Sequence, residues 1–284
     1  ERVWRDHNPY GHGWVNVTKA IEVSCDIYFY DMAYKLGIDR ISESMAKFGF
    51  GDYTGIDLHE EADGIMPSRG IVKALFNRPW YIGDTINIGI GQSYWTATPV
   101  QLTQAISTLV NKGKRIIPQI IRGNMLNGQV NQQSIKERRP IAIKNEHNWN
   151  VVLDAMYGTV NREGSARRAF NGAHYISAGK TGTAQLVSIA QDEKYDASKL
   201  SKKNHDNAMY VGYAPFDKPT IALTVVLENA GHGGAQAAPI ARKMMDNYFR
   251  DQVFPEHEVI EDVSQQPKQL GITQTQLEPE VVQP

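Results

Sequence analysis

The segment Lys180-Thr181-Gly182-Thr183 is the strongest candidate for chemistry in this sequence. It opens an apolar, strand-like stretch, so a cation and two hydroxyl groups would line a strand edge where an anionic substrate could bind. The glycine would let a substrate backbone approach closely, because it carries no Cβ. Taken alone, so short a segment is more often an exposed turn that leads into a strand.

A second candidate is the run Ser24-Cys25-Asp26, which lies in a segment with helical periodicity. A serine and an aspartate two residues apart could line a cleft. Both are also favoured residues for capping a helix N-terminus, and that simpler role is the better interpretation of the run by itself.

Three residues in this part of the chain could bind a metal ion. Asp6, His12 and Cys25 are of types that bind zinc, and a structural zinc site takes four ligands in a tetrahedron. The alternative is a buried cysteine that packs as a small apolar residue near a surface histidine, and the residue types alone favour it. His7, which adjoins Asp6, is interpreted as a surface residue.

Hydrophobic periodicity and turn signals predict the elements that must position these residues. Helices are predicted over residues 15–48, 99–110, 149–160 and 237–249. Strands are predicted over residues 116–121, 176–187, 208–213 and 220–228, with a hairpin turn at Asn127-Gly128 and loops over 49–77 and 161–172. Strands clustered between helices favour an α/β fold of the α+β type, with an antiparallel sheet flanked by helices.

The composition narrows the function classes. The 284 residues are 41% hydrophobic and carry a formal net charge of −1, so no basic surplus points to nucleic acid as a partner. One cysteine excludes an internal disulfide. We expect residues 1–254 to belong to one domain and 255–284, rich in Gln, Glu, Pro and Val, to form a flexible tail. Without an initiator Met or a signal peptide, the chain is expected to be a fragment whose targeting segment lies upstream.

Five ordered blocks over residues 4–249 resemble the class B penicillin-binding proteins, and within them the elongation-specific penicillin-binding protein 2 group. The blocks are Gly83-Asp84-Thr85, Gly89-Ile90-Gly91-Gln92, Thr98-Pro99-Val100-Gln101-Leu102, Met156-Tyr157-Gly158 and Lys180-Thr181-Gly182-Thr183-Ala184. Lys-Thr-Gly is one of three motifs that the family shares with serine β-lactamases, and Ser24-x-Asp26 corresponds to another. The resemblance implies the transpeptidase fold common to these proteins.

The resemblance also implies D,D-transpeptidase chemistry on peptidoglycan stem peptides, through a serine acyl-enzyme that β-lactams would also form. In that scheme Ser24 relays a proton towards the leaving group and Lys180 holds the network electrostatically. Thr181 and Thr183, with Lys180, receive the substrate carboxylate, and the N–H of Thr183 supplies half of an oxyanion hole. The spacing of Asp6, His12 and Cys25 is similar to that of a zinc site in relatives, whose further Asp ligand lies upstream.

The sequence departs from the family pattern in two places. The middle motif usually ends in Asn, whereas Asp26 as a carboxylate can only accept hydrogen bonds, although the penicillin-binding protein 2 group tolerates Asp. The nucleophilic Ser-x-x-Lys motif precedes the middle motif in the family, so we expect it before Glu1. Ser44 and Lys47 have the right spacing but follow Ser24, in the wrong order, and are rejected as the nucleophile motif.

Partners and location follow from the same resemblance. It implies an inner-membrane protein with a periplasmic catalytic domain. It also implies contacts with a SEDS-type glycosyltransferase and elongation-complex proteins through regions outside this chain. The alternative from another class is a non-catalytic β-lactam sensor or scaffold of the same fold. A hydrolytic β-lactamase is a third reading, but no residue marks a deacylating water.

Overall fold

The computed structural model describes residues 3–187 and 199–254, and the tail predicted over 255–284 lies outside this range. The helices are α1 (Val17–Val23), α2 (Asp26–Leu36), α3 (Ile38–Lys47), α4 (Arg69–Phe76), α5 (Ile82–Gly89), α6 (Pro99–Val110), α7 (His147–Asn161), α8 (Arg167–Phe170) and α9 (Gly233–Tyr248). The strands are β1 (Arg115–Ile116), β2 (Gly123–Leu126), β3 (Gln129–Gln132), β4 (Glu137–Arg138), β5 (Ala178–Ala184), β6 (Asn207–Ala214) and β7 (Ile221–Leu227).

The main sheet is antiparallel, in the order β5-β6-β7. Helices α6 and α7 pack against it through a core that includes Met156, Ala178 and Tyr213. Helix α9 packs along all three strands and buries Ala237, Ala241 and Met245. The predicted class, an antiparallel sheet flanked by helices, is therefore confirmed.

The long N-terminal helical segment is broken twice. Ser24 adopts the left-handed conformation, with φ 58° and ψ 50°, and ends α1, while Gly37 has φ 75° and separates α2 from α3. Helix α1 packs on α7, and α2 packs on α5. The break at Ser24 sets the directions of α1 and α2 independently and puts Ser24 and Asp26 at their junction.

Several predicted bounds were wrong for identifiable reasons. The strand predicted over residues 116–121 stops at Ile116, because Pro118 has no N–H and Asp57 accepts hydrogen bonds from the N–H groups of Ile120 and Ile121 (2.6 and 2.9 Å). The predicted loops over 49–77 and 161–172 contain the short helices α4 and α8. The hairpin at Asn127-Gly128 is confirmed by the pairing of β2 with β3.

The last helix begins at Gly233, four residues before its predicted start, with Pro239 inside it. A Cβ on Gly233 would collide with the carbonyl oxygens of Gly182 and Met209. Glycine is therefore required for the N-terminus of α9 to approach β5 closely. Within the described residues, no helix combines the length and apolar character needed to cross a membrane.

Candidate active site

Strand β5 presents the Lys180-Thr181-Gly182-Thr183 segment at one edge of the described sheet. Lys180 pairs with Val211 and Thr181 with Tyr210 on β6, whereas the other side of β5 carries no further strand among the described residues. Backbone N–H and C=O groups of alternate residues therefore point outward from this edge. The sequence interpretation of a strand edge that could receive an extended substrate fits this arrangement.

The Lys180 ammonium joins the two sequence candidates. Its Nζ donates to the Ser24 hydroxyl in a short hydrogen bond and to the carbonyl oxygen of Thr181 at 2.9 Å. Burial disfavours the charged ammonium and lowers the pKa of Lys180 to about 8, although the charge of Asp26 opposes this effect. A lysine with that pKa can exchange a proton with Ser24 near neutral pH.

Neither Ser24 nor Asp26 serves as the helix N-cap considered from sequence. Ser24 is the C-cap of α1 and Cys25 is the N-cap of α2, whose second residue, Ile27, donates its backbone N–H to Asp6 Oδ2 at 3.5 Å. The Ser24 hydroxyl instead contacts Lys180, 156 residues further along the chain. The geometry therefore favours a role beside Lys180 over the capping role.

The two threonine hydroxyls are each held by a second element. Thr181 Oγ1 lies 2.5 Å from Ser165 Oγ, where either atom could donate. The N–H of Gly233, at the start of α9, donates to Thr183 Oγ1 at 3.4 Å. These contacts gather three hydroxyls and a helix N-terminus beside Lys180, a suitable environment for a carboxylate.

Sequence reasoning missed Ser165 and the residue that holds its loop, Glu22. The buried Glu22 carboxylate accepts from the backbone N–H of Glu163 (3.2 Å), from Lys19 Nζ (3.3 Å) and from Arg162 Nε (3.3 Å). Glu22 precedes Ser24 by two residues, so α1 positions both the relay hydroxyl and the 162–165 loop. The signal that could have identified Glu22 is its charge on the buried face of a predicted helix.

Asp26 faces the N-terminal loop. Its Oδ2 accepts from the backbone N–H of His7 (2.9 Å) and lies 3.2 Å from His7 Nδ1. This hydrogen bond raises the pKa of His7, although burial opposes it. His7 is exposed, as interpreted from sequence, but it also links Asp26 to Asp6 at 3.1 Å. It is therefore more than a surface residue.

Of the three predicted metal ligands, Asp6 contacts both His12 and Cys25, but the ligand atoms that all lie within 4.8 Å of one another are those of Asp6, His7 and His12. His12 Nδ1 is 3.3 Å from Asp6 Oδ2, and the Cys25 thiol hydrogen-bonds to Asp6. Burial opposes ionisation of Asp6, but hydrogen bonds from Asn8 N and from Cys25 outweigh it and lower the Asp6 pKa. His12 Nδ1 is buried without a hydrogen bond of good geometry, as expected of an atom that ligates a metal. Carboxylate, imidazole and thiolate groups are all ligand types that zinc accepts.

Other polar candidates have structural partners. Arg78 makes a bidentate ion pair with Asp84, and Trp80 Nε1 donates to Thr85 Oγ1 at 2.8 Å. Lys47 pairs with Glu43 at 3.0 Å on the exposed side of α3, which supports its rejection as part of a nucleophile motif. Gln92, in contrast, contacts the backbone of β5.

Comparison with known proteins gives consistent matches. The family profile described as "Penicillin binding protein transpeptidase domain" matches residues 1–246. The peptidoglycan D,D-transpeptidase MrdA of Haemophilus influenzae is 42% identical over 274 residues, which cover 94% of this chain and 41% of that protein. MrdA of Escherichia coli K12 is 40% identical over 248 residues, which cover 87% and 39%. The chain thus spans about two fifths of these relatives.

Comparison with solved structures gives matches to the same family. Pseudomonas aeruginosa PBP2 in complex with WCK 5153 superposes with a TM-score of 0.76 at 38% identity, covering 88% of this chain and 50% of that one. Helicobacter pylori PBP2, in its complex with MreC, gives a TM-score of 0.75 at 28% identity, covering 87% and 42%.

Proposed function

This chain belongs to the penicillin-binding protein transpeptidase domain family, and from that membership we propose that the whole protein is a peptidoglycan D,D-transpeptidase. The single observation that carries the assignment for these residues is the hydrogen bond from Lys180 to Ser24. It joins two motifs far apart in sequence into one proton-transfer unit beside an anion-binding strand edge.

In the proposed reaction, a serine from a Ser-x-x-Lys segment outside this chain attacks the D-Ala-D-Ala carbonyl of a stem peptide. A bond from its Oγ to the acyl carbon forms and the amide C–N bond breaks. The proton of the attacking hydroxyl passes through the lysine of that segment to Ser24, and Ser24, supported by Lys180, gives its own proton to the departing amine. Thr181 and Thr183 bind the terminal carboxylate, and the N–H of Thr183 stabilises the oxyanion. An amine of a neighbouring strand then resolves the acyl-enzyme.

Penicillin labelling tests this function. We expect the full-length protein to form a covalent penicillin adduct by mass spectrometry, whereas residues 1–284 alone do not. A full-length Lys180→Ala variant should label about 100-fold more slowly, since the relay loses its electrostatic support. An adduct on the short chain, at Ser44 for example, would show that the nucleophile has been misassigned.

The alternative function, a β-lactam sensor or scaffold, is distinguished by turnover. A transpeptidase releases D-Ala from a D-Ala-D-Ala peptide and transfers the acyl group to an added D-amino acid. A sensor would be acylated by penicillin but would do neither. The favoured outcome is D-Ala release by the wild type, with loss in the Lys180→Ala variant.

We also propose that Asp6, His12 and Cys25 bind a structural zinc ion, with a further ligand from outside this chain. Zinc would supply no step of the reaction and would fix the 6–13 loop against the start of α2, which carries Asp26. Elemental analysis should find about one zinc per full-length wild-type chain and a large loss in Cys25→Ala. The exposed His59 offers a matched control, His59→Ala, that should keep the metal. Negligible zinc in all three proteins would remove this proposal.

Location and partners extend the same proposal. We assign the catalytic domain to the periplasmic side of the inner membrane, where peptidoglycan is cross-linked during elongation. A SEDS-type glycosyltransferase and other elongation proteins are the proposed partners, through parts of the protein outside this chain. The complex of Helicobacter pylori PBP2 with MreC supports a protein partner for the whole protein.

A further inference from the structure

Gln92 makes two hydrogen bonds to the outer edge of β5. Its Nε2 donates to the carbonyl oxygen of Thr183 at 2.9 Å, and its Oε1 accepts from the backbone N–H of Gln185 at 3.3 Å. A residue of a neighbouring parallel strand would make the same pair of bonds, one to residue i and one to residue i+2. The side-chain amide of Gln92 therefore takes the place of one residue of an added strand.

The backbone around Gln92 fixes the direction of this side chain. Gly91 has φ +74° and Ser93 has φ +77°, so both neighbours lie in the left-handed region, which is uncommon for serine. The backbone N–H of Gln92 donates to the carbonyl oxygen of Asn87 at 3.1 Å, which ties the turn to α5. Strain at Ser93 is retained because α5 and its turn fix the position.

The contact bears on the proposed oxyanion site. In a strand the N–H and C=O of one residue point to the same side, so the Thr183 N–H faces the same edge as the carbonyl held by Gln92. The Thr183 side chain is held separately by Gly233 N. Thr183 is thus fixed through its carbonyl and its hydroxyl, while its N–H faces the open edge of β5.

We propose that Gln92 is a positioning residue for the acyl-transfer step, a role that rests on the proposed transpeptidase function. It orients Thr183 so that its N–H can meet the developing oxyanion. It also closes the β5 edge beyond Thr183, so that an acyl donor pairs with the strand only as far as that residue. In this role Gln92 acts through Thr183 and not by contact with the reacting atoms.

Two substitutions of full-length Gln92 test the proposal with a fluorescent penicillin as the probe. Gln92→Met keeps the length of the side chain but makes no hydrogen bonds, and its acylation rate constant should fall about tenfold, less than for loss of an oxyanion donor itself. Gln92→Glu should be similarly slow at pH 8. A protonated carboxylic acid donates and accepts like an amide, so its rate relative to wild type should recover as the pH falls towards 5. Gln119→Met, at a glutamine that is half-buried like Gln92 but lies in the segment after β1, is the matched control.

Hydrogen exchange of the 183–185 backbone in the same proteins separates the contact from the chemistry. The Gln185 amide should exchange faster in Gln92→Met than in wild type or Gln119→Met. Wild-type acylation rates in Gln92→Met, or a Gln92→Glu rate ratio that does not change with pH, would overturn the positioning role. Unchanged Gln185 exchange would overturn the contact itself. A wild-type protein that never acylates would instead refute the proposed function, and the role with it.

Discussion

Replacing Lys180 with methionine should slow penicillin acylation yet stabilise the fold at neutral pH. The pKa of Lys180 falls from an ordinary 10.5 to about 8 because burial penalises its charge. The unfolded chain therefore binds more protons than the folded one between pH 8 and 10.5, and stability contributed by this group rises with pH in that window. Below pH 8 the full penalty is present, about 3 kcal/mol.

Methionine removes this penalty but also the hydrogen bonds to Ser24 and to the Thr181 carbonyl, which together contribute about 1.5 kcal/mol. Lys180 is partly exposed, so solvent reduces the burial term. We therefore expect Lys180→Met to raise the free energy of unfolding at pH 7 by about 1 kcal/mol. As the pH rises towards 10.5 the difference should vanish and change sign.

The assay is urea unfolding of the full-length protein at pH 7 to 10. Unfolding of this domain is monitored by hydrogen exchange of peptides from β6 and β7. Lys144→Met, at an exposed lysine, controls for the loss of a surface charge and should show no such trend. A Lys180→Met protein that is less stable than wild type at pH 7, with a difference that does not change with pH, would refute the argument. It would mean that the ammonium is solvated or paired more strongly than its contacts indicate.

Two further predictions concern how the site is held. Gly89→Val should lower the thermal midpoint and cost about 2 kcal/mol of unfolding free energy. Even a Cβ at this position would lie 2.5 Å from the Ala33 Cβ, where α2 contacts α5. Gly70→Ala, at a glycine where a Cβ has room, should leave the thermal midpoint unchanged. Glu22→Gln should cost about 2 kcal/mol in urea unfolding, since it breaks a buried ion pair with the partly exposed Arg162. It should also slow penicillin acylation by releasing the 162–165 loop, and stability loss with an unchanged acylation rate would contradict that link.

Local sequence signals predicted an element correctly where its own residues mark its start and its end. Helix α6 was predicted at its observed bounds because Pro99 occupies the first turn and Thr98 accepts from Gln101 N as the N-cap. The three strands of the main sheet were located from their apolar runs. The short connection over residues 215–219 accounts for the pairing of β6 with β7, whereas the place of β5 beside β6 was not predicted.

Long-range contacts set the features that sequence reasoning missed. Serine carries no signal for a left-handed residue, so the break at Ser24 could not be read from residues 15–48. The contacts of Ser165 with Thr181 and of Gln92 with Thr183 join segments 16 and 91 residues apart. Family motifs pointed to the candidate residues Ser24 and Lys180. The residues that hold the site in place, such as Ser165 and Gln92, were found only from the coordinates.

The left-handed backbone at Ser24 has a consequence for which amino acids this position can accept. Threonine offers the same hydroxyl, but its branched Cβ makes a positive φ much less favourable. Glycine and asparagine adopt φ 58° readily, but they carry no hydroxyl for Lys180 to contact. Serine is the one standard amino acid that combines an aliphatic hydroxyl with an unbranched Cβ. Few substitutions of Ser24 can therefore keep both the contact with Lys180 and the break between α1 and α2.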